Sequence, residues 1–277
     1  MTSAILDRFV NDGLRAKSEA TIKTYHHALQ QFQSWLDGSG TTLAGYTRSD
    51  VQQYMDYLVA KKKSASTINK IYNAIKSFSR WNSKQEIVED IRVMKQLDYK
   101  QQAPKALDRN EYNKLMREIE RTGNKRDFAI VVTLLYTGLR VSELVNLDQS
   151  DVESSERKGE LTVRTGKGNK ERTIPLNAEV RRAINRYVEE RSDSNDALFL
   201  SNRQQRISVR SVQHLLEQYG FHAHQLRHTF ITALVRDNQD IGVIQSLSGH
   251  KSADMVLRYS KPTEEDRQKA VDNLFLK

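Results

Sequence analysis

Apolar residues return at steps of three and four through most of the first ninety-eight positions, a period that admits helices and little else. Ile22, Tyr25, Leu29, Phe32 and Leu36 form one stripe, opened by Ser18 and closed by Gly38-Ser39-Gly40. Asp50 begins a second, with Val51, Tyr54, Met55 and Leu58 on one face. Ser64 to Thr67 caps a third, which carries Ile68, Ile71, Tyr72, Ile75, Phe78 and Trp81. Beyond Pro104 the pattern resumes. Asp108 and Glu111 open a helix to Arg121, Lys125 to Tyr136 reads as a buried helix stopped at Thr137-Gly138, and helices follow over about 177–191 and 208–219. One stretch breaks the rule: Gly159 to Thr165 alternates, Gly166 to Lys170 turns and Glu171 to Leu176 returns, as in a hairpin. With only three prolines and twelve glycines in 277 residues, the expected fold is mainly α with a small β-sheet. We expect a helical domain over 1–98, a polar linker over 99–107 and an α+β domain over 108–277. A last helix over 263–275 would place Ala270, Val271, Leu274 and Phe275 on one face.

Charge is spread unevenly over a chain of formal net charge +9. From Tyr57 through Gln85 there are seven basic residues and no acidic one, interleaved with Tyr72, Phe78 and Trp81. Such a block reads as a folded cationic surface, the footprint of a polyanion binder. On the third helix the face opposite the apolar stripe carries Asn69, Lys70, Asn73, Lys76, Ser77 and Arg80, and Lys61, Lys62 and Lys63 stand just ahead of it. These side chains suit a solvated polar face, and equally a helix laid against phosphates and base edges of DNA. No apolar run approaches the ~20 residues of a membrane span and no signal-peptide pattern opens the chain, so no membrane partner is expected. The absence of cysteine excludes disulfides and thiolate metal sites, and suits a reducing cytoplasm, the expected location.

Chemistry concentrates between His224 and Tyr259. This stretch holds Arg227, His228 and His250 as well, with Asp237, Asp240 and Asp254 as its only acids. Such a set suits an anion, and a phosphate matches the arginine fork. His224 lies one helical turn before Arg227, so both project to one side. Gly249 ends a helix and aims His250 from a fixed loop, while Tyr259 sits near the end of a short helix that Pro262 stops. His222-Ala223-His224 and His224-x-x-x-His228 also have metal-ligand spacings. Arg227 between the pair repels a cation, however, and no carboxylate is close in sequence, so neither metal nor cofactor is expected. Gly166-Lys167-Gly168 is not a nucleotide loop, because it lacks the wider glycine spacing and precedes a strand. Lys167 is either a donor to a phosphate or leaving group, or an exposed turn lysine. Arg140 either serves an anion or pairs structurally with Glu143 or Asp148. A tyrosine of pKa ~10 must lose its proton as it attacks, which cations and a histidine can assist; the alternative for Tyr259 is a packing aromatic.

Taken together, Thr137-Gly138-Leu139-Arg140-x-x-Glu143-Leu144, Gly166-Lys167-Gly168-x-x-x-Arg172-x-x-Pro175-Leu176, His224-x-Leu226-Arg227-His228, Leu247-x-Gly249-His250 and Tyr259 resemble the tyrosine recombinase family in order and spacing. This is the phage-integrase and Xer group, and the likeness covers residues 108 to 262. The N-terminal helices resemble its SAM-like domain, which binds the core site. The resemblance implies a two-domain, C-shaped clamp on double-stranded DNA at a specific recombination site. It implies that Tyr259 attacks the scissile phosphate to form a 3′-phosphotyrosyl bond, and that Arg140 and Arg227 hold that phosphate. Lys167 would protonate the leaving oxygen, His224 would move the proton of Tyr259, His250 would hydrogen-bond the phosphate and Glu143 would support Arg140. Lys170 and Arg172 of the hairpin would join Lys61, Lys62, Lys63, Asn69, Lys70, Asn73, Lys76 and Arg80 as DNA contacts. Neither metal nor ATP would be needed. A homotetramer on two sites would exchange strands through a Holliday junction, with the last helix docked on a neighbouring subunit or on its own chain, and a second recombinase or accessory protein is an open partner.

One position departs from the family pattern: Ser248 stands where leucine usually precedes Gly-His. That serine and the Arg258-Tyr259-Ser260-Lys261-Pro262-Thr263 ending resemble transposon-borne resolvases and integrases. The helical domain begins almost at residue 1, so no arm-binding domain is expected ahead of it. This favours integration and excision, or resolution, of a mobile element or replicon dimer. Two rivals share parts of the pattern, a type IB topoisomerase and a non-catalytic DNA-binding regulator.

Overall fold

Helix α1 (Ser3–Arg8) runs into a π-helical turn (Phe9–Gly13), and the periodic stripes then become α2 (Glu19–Gly38), α3 (Arg48–Ala60) and α4 (Ala65–Trp81). The computed structural model describes residues 3–94, 104–164, 171–250, 252–262, 267–268, 271–272 and 274. Its two units are Met1–Tyr99 and Lys100–Lys277. In the first unit, each long helix starts where a side chain satisfies amides that the helix leaves free. Ser18 and Ser64 accept from the amides of Thr21 and Thr67. Helix α3 starts earlier than Asp50, because Thr47 is its cap. Asp50 is the third helical residue, and its carboxylate reaches back to the Thr47 amide at 2.7 Å. The stripes meet in one core around Leu29, Phe32, Leu36, Val51, Tyr54, Ile68, Ile75 and Phe78. Phe9, which no stripe announced, is fully buried edge-on against Phe78 at 5.3 Å. Residues 91–94 return along the helices: the Arg92 amide donates to Gln52 and the Asn69 side chain donates to Met94 O.

The second unit contains α5 (Arg109–Arg121), α6 (Lys125–Thr137) and α7 (Val141–Val145), followed by β1 (Val152–Ser154), β2 (Gly159–Val163) and β3 (Arg172–Pro175). Then come α8 (Ala178–Val188), α9 (Val209–Gln218), α10 (Ala223–Arg236), α11 (Ile241–Ser248) and α12 (Ala253–Leu257). The expected hairpin is β2–β3, antiparallel, with Leu161 opposite Ile174 and Val163 opposite Arg172. A third strand, β1, was not foreseen; Val152 pairs with Leu161, in a strand too short to show a period. Helix α6 is buried from Ala129 through Leu135 and stands at the centre, with α8 and α10 packed against it. The end of the expected linker belongs to this unit. Leu107 is buried and its amide donates to Thr229 Oγ1 on α10 at 2.8 Å. The rest of that linker, through residue 103, lies outside the described residues, as does the turn with Lys167 and Lys170. Of the expected last helix, residues 267–268 and 271–272 are helical and Val271 and Leu274 are exposed, while Ala270 and Phe275 lie outside the described residues. Among the described residues no helix is long and apolar enough to cross a membrane.

Candidate active site

Two glycines place the arginines. Helix α6 is capped by Gly138 (φ +60°) and α11 by Gly249 (φ +67°), both left-handed, the geometry that turns a helix end while leaving its last carbonyls to find donors. Those donors are guanidinium groups. Arg227 Nη1 donates to Gly138 O and Nη2 to Ser248 O at 2.6 Å, and Arg140 Nη2 reaches Gly249 O at 3.4 Å. Each cation therefore sits at the negative end of a helix dipole. A Cβ at position 138 would come within 2.3 Å of the Phe230 ring. Arg227 is only 4% exposed; burial lowers its pKa to about 10, which still leaves it protonated at neutral pH.

Arg140 opens α7, giving its amide to Glu143 Oε2 and its Nη1 to Oε1, both at 2.8 Å. Arg172 takes the same carboxylate from β3, at 3.1 and 2.8 Å, and its Nε donates to Leu247 O. Burial pushes the Glu143 carboxyl up, but the bonds from Arg172 and Arg140 outweigh it and hold the group below its ordinary value. Two guanidinium groups thus share one carboxylate while Arg227 has only carbonyls, and the cluster is short of negative charge. Arg172 needs correction as a DNA contact. Strand parity puts it on the same face as the buried Ile174, and its side chain is only 11% exposed.

Tyr259 lies in a 3₁₀ turn (Arg258–Ser260) after α12 and packs with Ile231, Ile244 and Val256 in a small satellite core. Its hydroxyl is 2.8 Å from His228 Nδ1. The resemblance gave the proton of Tyr259 to His224. That ring is one turn earlier on α10, exposed, and stands edge-on to His228 at 5.8 Å. The phenol meets His228 because its packing partner Ile231 lies three residues further along α10, on the same face. The sequence did carry a signal for His228, the four-residue spacing from His224, but that spacing reads equally as a metal motif. Burial, aided by His224, Arg227 and Arg258, lowers the His228 pKa to about 4. Burial raises that of Tyr259, and Arg227, Arg258 and Arg140 only partly offset it. At neutral pH a protonated phenol therefore faces an uncharged imidazole. Burial, then Arg227 and Arg140, also lowers His224. His250 is brought down to about 4 by burial and then Arg227; its Nδ1 lies 2.9 Å from Ser248 Oγ and its Nε2 3.4 Å from Arg227 Nη2. Among the described residues no three histidines or carboxylates converge as metal ligands.

The structure therefore brings Arg140, Glu143, Arg172, Arg227, His228, His250 and Tyr259 together. Apart from Lys170, the lysines expected to touch DNA belong to the other unit. Lys61, Lys62 and Lys63 are exposed at the end of α3, and Lys70, Asn73 and Arg80 are exposed on α4. Lys61 lies over the Tyr57 ring and Lys76 over Tyr72. Asn69 on α4 is half-buried, and its side-chain nitrogen donates to Ala65 O and Met94 O.

Residues 105–266 match the model of the phage integrase family, and residues 7–89 match that of the phage integrase N-terminal SAM-like domain. Tyrosine recombinase XerA of Pyrococcus furiosus is 34% identical, over 100% of this chain and 96% of its own. TnP I resolvase of Bacillus thuringiensis is 27% identical, over 90% of this chain and 91% of its own. Among solved structures, that of the XerH site-specific recombinase bound to difH substrate, a pre-cleavage complex, has a TM-score of 0.72. It is 19% identical and the likeness covers 98% of this chain and 84% of the other.

Proposed function

The chain belongs to the phage integrase family of tyrosine recombinases, enzymes of site-specific DNA recombination, and on that premise we propose that Tyr259 cuts and rejoins DNA through a 3′-phosphotyrosyl intermediate. The observation that carries this reading is the Tyr259 hydroxyl, 2.8 Å from a neutral His228, beside arginines that outnumber their carboxylate. The phenol proton passes to His228 Nδ1 as the oxygen attacks phosphorus. Arg140 and Arg227 take the non-bridging oxygens and neutralise the charge that builds in the five-coordinate transition state. The bond to the 5′ oxygen breaks, and Lys167 supplies that oxygen with a proton. A 5′-hydroxyl from the other duplex then reverses each step. Because the phosphotyrosine conserves the energy of the broken bond, neither nucleotide nor metal takes part.

In this reading a homotetramer holds two double-stranded core sites in the cytoplasm and passes through a Holliday junction, with the last helix exchanged between subunits. The exposed residues Lys61, Lys62, Lys63, Lys70, Asn73 and Arg80, with the half-buried Lys76 and with Lys170, bind the phosphate backbone. The likeness to a DNA-bound recombinase supports DNA as partner, and the resolvase relative supports resolution of a mobile element. A nicked suicide substrate tests the chemistry. In EDTA and without nucleotide, the wild type should trap a covalent adduct on the 3′ side, and Tyr259→Phe should trap none. A full yield of adduct from the Phe variant would remove Tyr259 from the reaction.

A further inference from the structure

The serine that departs from the family pattern has a defined place in the pocket. Ser248 is fully buried at the end of α11, and its hydroxyl donates to Ile244 O at 2.6 Å. A hydroxyl has one proton to give. Toward His250 Nδ1, 2.9 Å away, the same oxygen can therefore only accept, so Nδ1 carries hydrogen. The far side of the ring gives the same answer independently. Arg227 Nη2, 3.4 Å from Nε2, can donate but never accept, which requires a lone pair on Nε2. We propose that Ser248 is a positioning residue: it fixes His250 as the Nδ1–H tautomer, whose bare Nε2 holds the Arg227 guanidinium in its phosphate-binding orientation. A leucine at this position could not do so. Neutral His250 then steers Arg227, and it can donate to a phosphate oxygen only after Nε2 takes up a proton. The tautomer stands on the geometry alone, while the consequence for cleavage rests on the recombinase reading.

Long-range proton–nitrogen spectra of the uniformly ¹⁵N-labelled full chain at neutral pH, with His250 assigned by difference from His250→Gln, read the tautomer directly. The expected result is a protonated Nδ1 and a bare Nε2; the reverse pattern overturns the proposal. On the suicide substrate, Ser248→Ala should cleave about tenfold more slowly in single turnover with DNA affinity unchanged, and Ser248→Thr should recover most of the loss. An Ala variant that cleaves at the wild-type rate also overturns the positioning role. Should that variant fail to fold, the wild-type spectrum still decides. The expected tautomer in a wild-type protein that forms no adduct would instead count against the recombinase reading and leave the tautomer standing.

Discussion

Arg227 on α10 and Arg80 on α4 carry the same charge in opposite settings. Arg227 is 4% exposed and spends both terminal nitrogens on helix-end carbonyls, whereas Arg80 is exposed on a helix whose other face completes an apolar core. An exposed cation acts through a field that spreads over about 10 Å and is screened by salt. A buried guanidinium, fixed by carbonyls on two sides, acts at one point, and its orientation was settled when the chain folded. The first unit should therefore set how tightly DNA is held, and the second how fast it is cut.

The strongest way to break that division is Glu143→Gln. It leaves Arg140 and Arg172 without their carboxylate, in a pair whose side chains are 3% and 11% exposed on the Glu143 and Arg172 sides. Removing one partner of a buried ion pair costs about 3–5 kcal/mol, so the melting temperature should fall by roughly 10 °C. The surface pair Arg48–Asp90 of the first unit, with side chains 55% and 85% exposed, is the control. Asp90→Asn should move stability by less than ~1 kcal/mol. Equal losses from the two variants would mean that burial does not distinguish the regions.

Arg227→Lys comes next. An ammonium cannot span Gly138 O and Ser248 O while still facing a phosphate, so single-turnover cleavage should fall about 10²–10³-fold. DNA affinity should change only a few-fold. Arg80→Lys keeps a charge that needs no fixed direction and should change neither quantity. A wild-type cleavage rate for Arg227→Lys would show that orientation is not what the buried site supplies.

Residue types were easier to read than partners, for a physical reason. Helices α2, α4, α5 and α6 each declare themselves through a stripe and a cap within a few residues, which is local information. Phe9 has no local pattern and is held by Phe78, far away in the chain, while β1 is three residues long, too short to show a period before it pairs with β2. Within the site, cations around a tyrosine point to an anion whatever the fold. Which histidine meets the phenol is different. His224 and His228 lie on one face of α10, and the contact is settled by the packing of Tyr259 on Ile231 and Ile244. Arg172 turned inward for a similar reason, as its parity with Ile174 matters only once the sheet has chosen its buried face.

A smaller effect follows from the two histidines brought down to about 4, His228 and His250. Above the unfolded value of ~6.5 they are neutral in both states and cost nothing. Below it the unfolded chain binds protons that the folded chain refuses until about pH 4, so stability must fall across that window. Thermal unfolding from about pH 7 to about pH 4.5 should show a steeper decline for the wild type than for a His228→Gln, His250→Gln double variant. Parallel curves would mean that the buried imidazoles do not resist protonation.

The smallest effect belongs to the first unit, and it is read from a slope. Each lysine neutralising one phosphate releases a counterion, so Lys70→Ala should weaken binding uniformly across sequences and reduce the slope of log affinity against log salt by about one. The rate of cleavage within the saturated complex should not change. Asn69→Ala supplies the contrast on the same helix. Its amide is bound to Ala65 O and Met94 O, so the variant should lower stability and leave the salt slope alone. If Asn69→Ala altered the slope and Lys70→Ala did not, the DNA-facing stripe of α4 would have to be rotated toward Asn69 and Arg80, which share a face, and Lys70 would lose its place in it.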